Sequence, residues 1–193
     1  MNLTIVDYNA GNVRSVAFAL ERLGISAEIT ADVDKIRKAD KVIFPGVGEA
    51  SSTMAALRER ELAELLPTLK QPFLGICLGM QLMCSFSEEG DTNCLNIIEN
   101  KVRRFPPKDK VPHMGWNSVY DLKSPLFQHI DAGTYFYFVH SYFVEMNKNT
   151  IATSNYINEF SAGIHHDNFF AVQFHPEKSG ESGNQVLKSF IEL

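Results

Sequence analysis

Apolar positions in the first half of the chain switch repeatedly between a continuous pattern and a helical one. Leu3 to Val6 is a short apolar run, followed by a turn at Asn9-Ala10-Gly11. Val13, Val16, Ala17, Leu20 and Leu23 then recur at helical spacing until Gly24, a natural C-terminal stop. Ile25 to Thr30 reads as a second strand and Asp32 to Ala39 as a short helix. Lys41-Val42-Ile43-Phe44 is a third strand, broken by Pro45-Gly46-Val47-Gly48. A long helix is expected over Ala50 to Leu66, with Met54, Leu57, Leu62, Leu65 and Leu66 as its apolar positions. Pro67 and Pro72 bracket the return to the apolar run Phe73-Leu74-Gly75-Ile76. This alternation predicts an α/β fold: an open, mostly parallel central sheet flanked by helices on both faces.

The second half changes character. Short mixed pieces from Leu95 to Val119 are punctuated by Pro106-Pro107 and Pro112. Thr134 to Val144 is dense in aromatic and β-branched residues, a strong strand signal. Phe169 to Phe174 is another strand, ending at His175, and Glu181 to Leu193 reads as a closing helix. No repeat, low-complexity segment or linker interrupts the chain, so residues 1–193 read as one domain.

Composition narrows the function classes. A hydrophobic content of 45% and a charged content of 21% suit a soluble globular protein. A net charge of -5 with no basic block argues against nucleic acid or an anionic membrane as partner. The first residues lack the charged and apolar regions of a signal peptide, and the apolar runs are too short to span a bilayer. Three cysteines, Cys77, Cys84 and Cys94, without CxxC spacing suggest neither a disulfide framework nor a zinc site, and fit a reducing cytoplasm. Cys84, seven residues after Cys77 on the presumed helix, and Cys94, in the polar turn Asp91-Thr92-Asn93-Cys94, read as non-functional thiols.

Cys77 is different. Glycine stands two residues to either side, in Gly75-Ile76-Cys77-Leu78-Gly79, between an apolar strand and a helix-like segment carrying Leu78, Gln81 and Leu82. That is a nucleophile elbow with sulfur in place of hydroxyl. The glycines permit a sharp turn under close packing, and a helix N-terminus favours the thiolate. Sulfur nucleophiles need a base that takes and returns a proton, and imidazole suits this near neutral pH. Of the histidines, His129 lies in a polar stretch and His165-His166 precede a turn, with no matching carboxylate spacing for a metal site. His175 ends an apolar strand, Pro176 breaks the ladder, and Glu177 follows to orient the ring.

Gly75-x-Cys77-x-Gly79-x-Gln81 together with Phe174-His175-Pro176-Glu177 resembles the class I (triad) glutamine amidotransferase family. The resemblance implies a flavodoxin-like architecture with an additional antiparallel β region. It assigns Cys77 as nucleophile, His175 as general acid and base, and Glu177 as its orienter, with L-glutamine as substrate and no cofactor or metal. The oxyanion donors are expected at Leu78 N–H and in the Gly46-Val47-Gly48 loop, whose glycines permit more than one peptide orientation. The amino-acid end of the substrate falls to Gln81, to the carboxylate of Glu89 and to His140-Ser141-Tyr142. The plain alternatives are a solvated loop acid in Glu88-Glu89-Gly90 and sheet packing for the aromatic strand.

Four further strings are similar to the glutaminase subunits of imidazole glycerol phosphate synthases. They are Asp7-Tyr8-Asn9-Ala10-Gly11-Asn12, Pro45-Gly46-Val47-Gly48, Pro112-His113-Met114-Gly115-Trp116-Asn117 and Phe136-Tyr137-Phe138-Val139-His140-Ser141-Tyr142. That similarity implies a heterodimer with a (β/α)8-barrel cyclase subunit, which uses the ammonia in a step of histidine biosynthesis. It puts Asn12, Trp116, Tyr137 and Lys178 near the partner-facing mouth, although a lone Trp is ordinarily a core residue. A paralogous glutaminase subunit serving an aminating enzyme of surface-sugar biosynthesis carries the same strings. The glutaminase subunit of pyridoxal phosphate synthase fits less well at Pro45-Gly46-Val47-Gly48. A fold that has lost turnover is opposed by the intact Cys77, His175 and Glu177, and a free-standing cysteine peptidase by Gln81 and Glu89.

Overall fold

The computed structural model of the chain describes residues 1–9 and 12–193, so Ala10 and Gly11 of the expected turn lie outside the described residues. The first half folds as β1 (Leu3–Val6), α1 (Val13–Arg22), β2 (Glu28–Thr30), α2 (Val33–Lys38), β3 (Lys41–Gly46), α3 (Ala50–Glu59), α4 (Leu62–Leu65), β4 (Phe73–Cys77) and α5 (Leu78–Leu82). The remainder forms β5 (Cys84–Ser87), β6 (Thr92–Asn93), β7 (Ile98–Arg104), β8 (His113–Val119), β9 (Thr134–His140), β10 (Tyr142–Val144), β11 (Thr150–Tyr156), β12 (Asn158–His166), β13 (Phe169–Val172) and α6 (Gly180–Glu192).

Among the described residues, one sheet runs in the order β11-β12-β13-β4-β3-β1-β2. Its pairings from β2 to β13 are parallel, and β12 and β11 extend it antiparallel. The expected antiparallel region comprises an antiparallel ribbon, β8-β9, and a second sheet, β10-β7-β5-β6, which is mixed because β5 and β7 pair in parallel. Apart from the exposed edge strand β2, the parallel strands are buried throughout because helices cover both faces. Leu3, Ile5, Ile43, Leu74 and Ile76 pack with Val16 and Leu20 of α1 and Leu187 and Phe190 of α6. Val6, Val42, Phe44 and Phe73 point the other way, onto Ile36, Met54, Leu57 and Leu62. Each such side chain contributes about 1.5–3 kcal/mol of burial, and together they fix the height at which β3, β4 and β13 end.

Several boundaries differ from the sequence reading. The expected Ala50–Leu66 helix is two, because Glu61 takes a left-handed conformation (φ 60) between α3 and α4. In an unbroken helix Glu61 would lie on the buried stripe set by Met54 and Leu57; the break leaves it exposed and turns Leu62, Leu65 and Leu66 into the same core. Pro45 does not end β3, which pairs on through Pro45↔Ile76 and Gly46↔Cys77. The helix after Cys77 is short, and Cys84 begins β5 instead of lying on it. The aromatic run from Thr134 is two strands in different sheets, parted at Ser141.

A very close backbone approach lies beside the elbow, where α5 passes β3. A Cβ on Gly79 would sit 2.1 Å from the Phe44 carbonyl oxygen, and one on Gly46 would sit 2.9 Å from the Gly79 nitrogen. Gly79→Ala is therefore expected to cost about 3 kcal/mol, read as a lowered midpoint in chemical denaturation. An unchanged midpoint would mean this approach is not a constraint on the fold.

Candidate active site

The carboxyl ends of β3 and β4 and the exit from β13 meet the β8-β9 ribbon around a cavity of about 310 Å3. Open α/β sheets bind ligands at this edge. Cys77 lies at the end of β4 with φ 53 and ψ -107, a combination that costs a side chain of order 1–3 kcal/mol. It is held there because Gly75, Gly79 and Gly46 let neighbouring chain press in from three sides. Its sulfur lies 3.7 Å from the Val139 carbonyl and accepts the Gln173 Nε2–H at 3.6 Å. With α5 only five residues long, the support expected from a helix dipole is small.

His175 is the group opposite the sulfur. Its Nδ1–H donates to Glu177 Oε1 at 2.8 Å, which leaves the other ring nitrogen for Cys77. Burial alone would lower the pKa of His175; the sulfur, by charge and hydrogen bond, and then the Glu177 carboxylate reverse this and push it up to about 10. The backbone fixes the ring's position: His175 N–H donates to the Tyr137 carbonyl at 2.9 Å. Ser179 Oγ–H donates to the His175 carbonyl at 2.7 Å and accepts the Tyr137 N–H at 3.0 Å. Asn12 Nδ2–H donates to Glu177 Oε1 at 2.5 Å.

The other expected residues divide by what their atoms already do. Val47, Gly48, Leu78, Gln81, Glu89, Ser141 and Tyr142 line the cavity. Gly46 does not; it is fixed in β3 against Leu78, Gly79 and the Tyr8 hydroxyl, so the conformational freedom expected of the loop falls to Gly48, with φ 118 and, among the described residues, no atom within 4 Å of where a Cβ would stand. Glu89 is turned inward, its Oε2 accepting the Ala50 N–H at 2.8 Å where Glu49 gives α3 no cap, and burial raises its pKa. The solvated acid of the pair is Glu88, on Arg103. Gln81 Nε2 donates to the Tyr142 carbonyl at 2.9 Å and to Gln173 Oε1 at 3.0 Å, which leaves its oxygen for a ligand.

His140 lines the wall of the cavity, but its ring is engaged on both sides. The Tyr142 carbonyl, 2.7 Å from Nδ1, can only accept, so Nδ1 carries the proton. Nε2 then accepts from His113 Nδ1–H at 3.0 Å, and His113 Nε2 from Asn117 Nδ2–H at 3.3 Å. Burial lowers His113 to about 4 and His140 to about 3, so both rings are neutral at pH 7. At the mouth of the cavity, which Lys178 helps to line, Lys178 Nζ lies 6.0 Å above the Tyr137 ring, and Trp116, 55% exposed, stands edge-on to Tyr137. Trp116 is thus not a core residue.

The chain matches the family described as glutamine amidotransferase class-I over residues 4–193. The chain belongs to the class-I glutamine amidotransferases. It is 54% identical over 196 residues to the imidazole glycerol phosphate synthase subunit HisH of Bacteroides fragilis, covering all of both chains. It is 52% identical over 194 residues to the protein of that name from Haemophilus influenzae, covering 100% of this chain and 98% of the other. A crystal structure of a glutamine amidotransferase superposes with a TM-score of 0.76 at 17% identity, over 98% of this chain and 97% of that one. One from Thermotoga maritima gives 0.66 at 15%, over 100% and 83%. At those identities the superpositions bear on the fold alone.

In this amidotransferase burial favours the protonated form of the two remaining thiols: it pushes Cys94 up to about 12 and raises Cys84 further. Gln173 and Ser179 were given no role by the sequence reading, and Tyr8, His113 and Asn117 entered it only as members of the quoted strings. Tyr8 is buried and its hydroxyl donates to the Pro45 carbonyl at 3.0 Å, anchoring the strand that leads to the Val47-Gly48 loop. Gln173 and Ser179 did leave a signal, as polar residues flanking the His175 turn where an apolar side chain would pack as well.

The buried histidine pair makes acid sensitivity predictable. Unfolded, each ring takes a proton below about 6.5; folded, each stays neutral down to about 4 or 3. The unfolded state therefore binds more protons in that window, and stability falls as pH drops from about 6.5 towards 4. Urea midpoints across this range should decline more steeply in the wild type than in His113→Gln. Parallel declines would show that the pair does not bind protons differently in the two states.

Proposed function

We propose that this chain is the glutaminase subunit of an imidazole glycerol phosphate synthase, working in the cytoplasm as one catalytic domain over residues 1–193. The observation that carries the reading is the line from Glu177 through His175 to Cys77 at the floor of the cavity. Full-length similarity to subunits of that synthase supports the choice of partner over an aminating enzyme of surface-sugar biosynthesis.

Cys77 thiolate attacks the side-chain amide carbon of L-glutamine, and the carbonyl oxygen takes the negative charge. Leu78 N–H, at the start of α5, and an N–H of the Val47-Gly48 loop receive that oxyanion. Protonated His175 gives its proton to the amide nitrogen as the C–N bond breaks, releasing ammonia and a γ-glutamyl thioester. Water then attacks the thioester, His175 takes its proton, and the C–S bond breaks to return thiolate and free the glutamyl acid. Glu177 holds the ring tautomer and stabilises the imidazolium throughout. Gln81 Oε1, Glu89 and the Ser141-Tyr142 backbone hold the amino-acid end.

Ammonia released into water is protonated and lost as a nucleophile, so the site must open onto a synthase. The exposed face with Trp116, Tyr137 and Lys178, beside Asn12, is the surface we assign to the (β/α)8-barrel cyclase. Trp116 stands as its aromatic anchor.

Cys77→Ala should reduce glutamine-dependent synthesis by the complex about a thousandfold or more while leaving ammonia-dependent synthesis intact. Loss of both activities would mean that Cys77 serves assembly. Because Gly48 is unencumbered, its peptide is expected to present an N–H to the oxyanion only when the partner is bound. The chain alone should then hydrolyse glutamine about a hundredfold or more slowly than the complex, the worth of one oxyanion donor. Equal rates for the two would rule out this gating.

A further inference from the structure

The nucleophile is approached from a second direction by groups that the triad does not use. Gln173 and Gln81 are both buried, side by side behind Cys77. Side-chain amides are ambiguous in orientation unless their surroundings decide, and here a backbone carbonyl decides. The Tyr142 oxygen can only accept, so the Gln81 atom 2.9 Å from it is the donor Nε2. The same Nε2 faces Gln173 at 3.0 Å, so the Gln173 atom there is the acceptor Oε1. The remaining end of Gln173, 3.6 Å from Cys77 Sγ, is therefore an N–H donor.

We propose that Gln173 is a fourth catalytic residue, whose amide N–H holds negative charge on the Cys77 sulfur in a direction set by Gln81 and Tyr142. The geometry separates it from the other neighbour of the sulfur. The Val139 carbonyl, 3.7 Å away, can pair only with the protonated thiol, whereas an N–H binds the thiolate more strongly than the weakly accepting thiol. That charge is present twice in the proposed reaction, before attack on the amide and again when the thioester C–S bond breaks, so a donor here serves both halves. Gln173 is held at this post: its backbone N–H donates to the Ala162 carbonyl at 2.9 Å, its side-chain Oε1 accepts from Gln81, and the side chain is sealed from solvent. The inference rests on the glutaminase reading for its catalytic meaning, but not for its test.

Iodoacetamide reports on the sulfur without glutamine or a partner: the thiolate forms a C–S bond and iodide leaves with the C–I electrons. A chain that failed to hydrolyse glutamine would count against the proposed function and leave this measurement intact. In the full-length Gln173→Met chain, which keeps the side-chain length and loses the N–H, labelling of the Cys77 peptide near neutral pH should slow about ten- to a hundredfold, the worth of a hydrogen bond to a charged group. Raising the pH should restore the rate, a recovery that mere loosening of the site would not give. An unchanged rate in a folded variant, or a loss that pH does not restore, would overturn the proposal. If circular dichroism shows that Gln173→Met does not fold, Gln81→Met carries the test, since it removes the donation that orients Gln173. Labelling should then slow severalfold, and an unchanged rate would overturn the proposal.

Discussion

At the end of β4 three pieces of main chain approach one another more closely than side chains allow. β3 lies against α5 through Gly46 and Gly79, and α5 folds back on β4 through Gly75. With no Cβ at those positions the chain has room to reverse within one residue, and that residue is Cys77, at φ 53 and ψ -107. The strain, of order 1–3 kcal/mol, persists because the strands on either side are locked into apolar cores on both faces of the sheet. The elbow therefore draws on the whole sheet. Loosening β3 or β4 would let Cys77 relax and swing its sulfur away from His175.

Around this fixed sulfur the protein uses three buried histidines in two opposite ways. His113 and His140 face each other, Asn117 and a backbone carbonyl; burial drives both to the neutral form, and the neighbouring His113 and His175 push His140 the same way. They act as a directed hydrogen-bond chain that holds the bend at Ser141, where the ribbon turns across the cavity. His175 is also buried, but the sulfur on one side and Glu177 on the other overcome burial and keep its proton on. Residue type does not decide the role; the neighbours do. The same ribbon that bends at Ser141 carries Trp116 and Tyr137 on its outer face and the Val139 carbonyl beside the sulfur on its edge. A partner seated on that face would thus press on chain that touches the nucleophile.

Much of this was legible in the sequence where a feature is local. The parallel half followed from apolar periodicity, and the elbow from glycines at fixed offsets around Cys77. His175-Pro176-Glu177 was readable because a proline ends a strand and leaves the two side chains within reach of each other. What escaped depends on contacts distant in the chain. Glu61 breaks a helix because a core formed with Phe73 and Ile36 has no place for an acid on that stripe. Cys84 is a strand residue because β7, which begins beyond the next strand and turn, offers it an edge at Ile98. Gln173 was read as part of an apolar strand, since nothing nearby in sequence shows that its amide meets Cys77 and Gln81. The split of the Thr134–Val144 run at Ser141 was hidden because both halves have equally strong strand composition.

The central claim is that a strained Cys77, served by His175, is the single nucleophile of a glutamine site. A chloroketone analogue of glutamine, which alkylates a thiolate only when seated in such a site, tests it directly. In the full chain with its barrel partner, mass spectrometry should find one adduct, on Cys77, competed away by glutamine and lost in His175→Gln. An adduct on Cys84 or Cys94, or glutamine hydrolysis persisting after Cys77 is fully modified, would contradict the account.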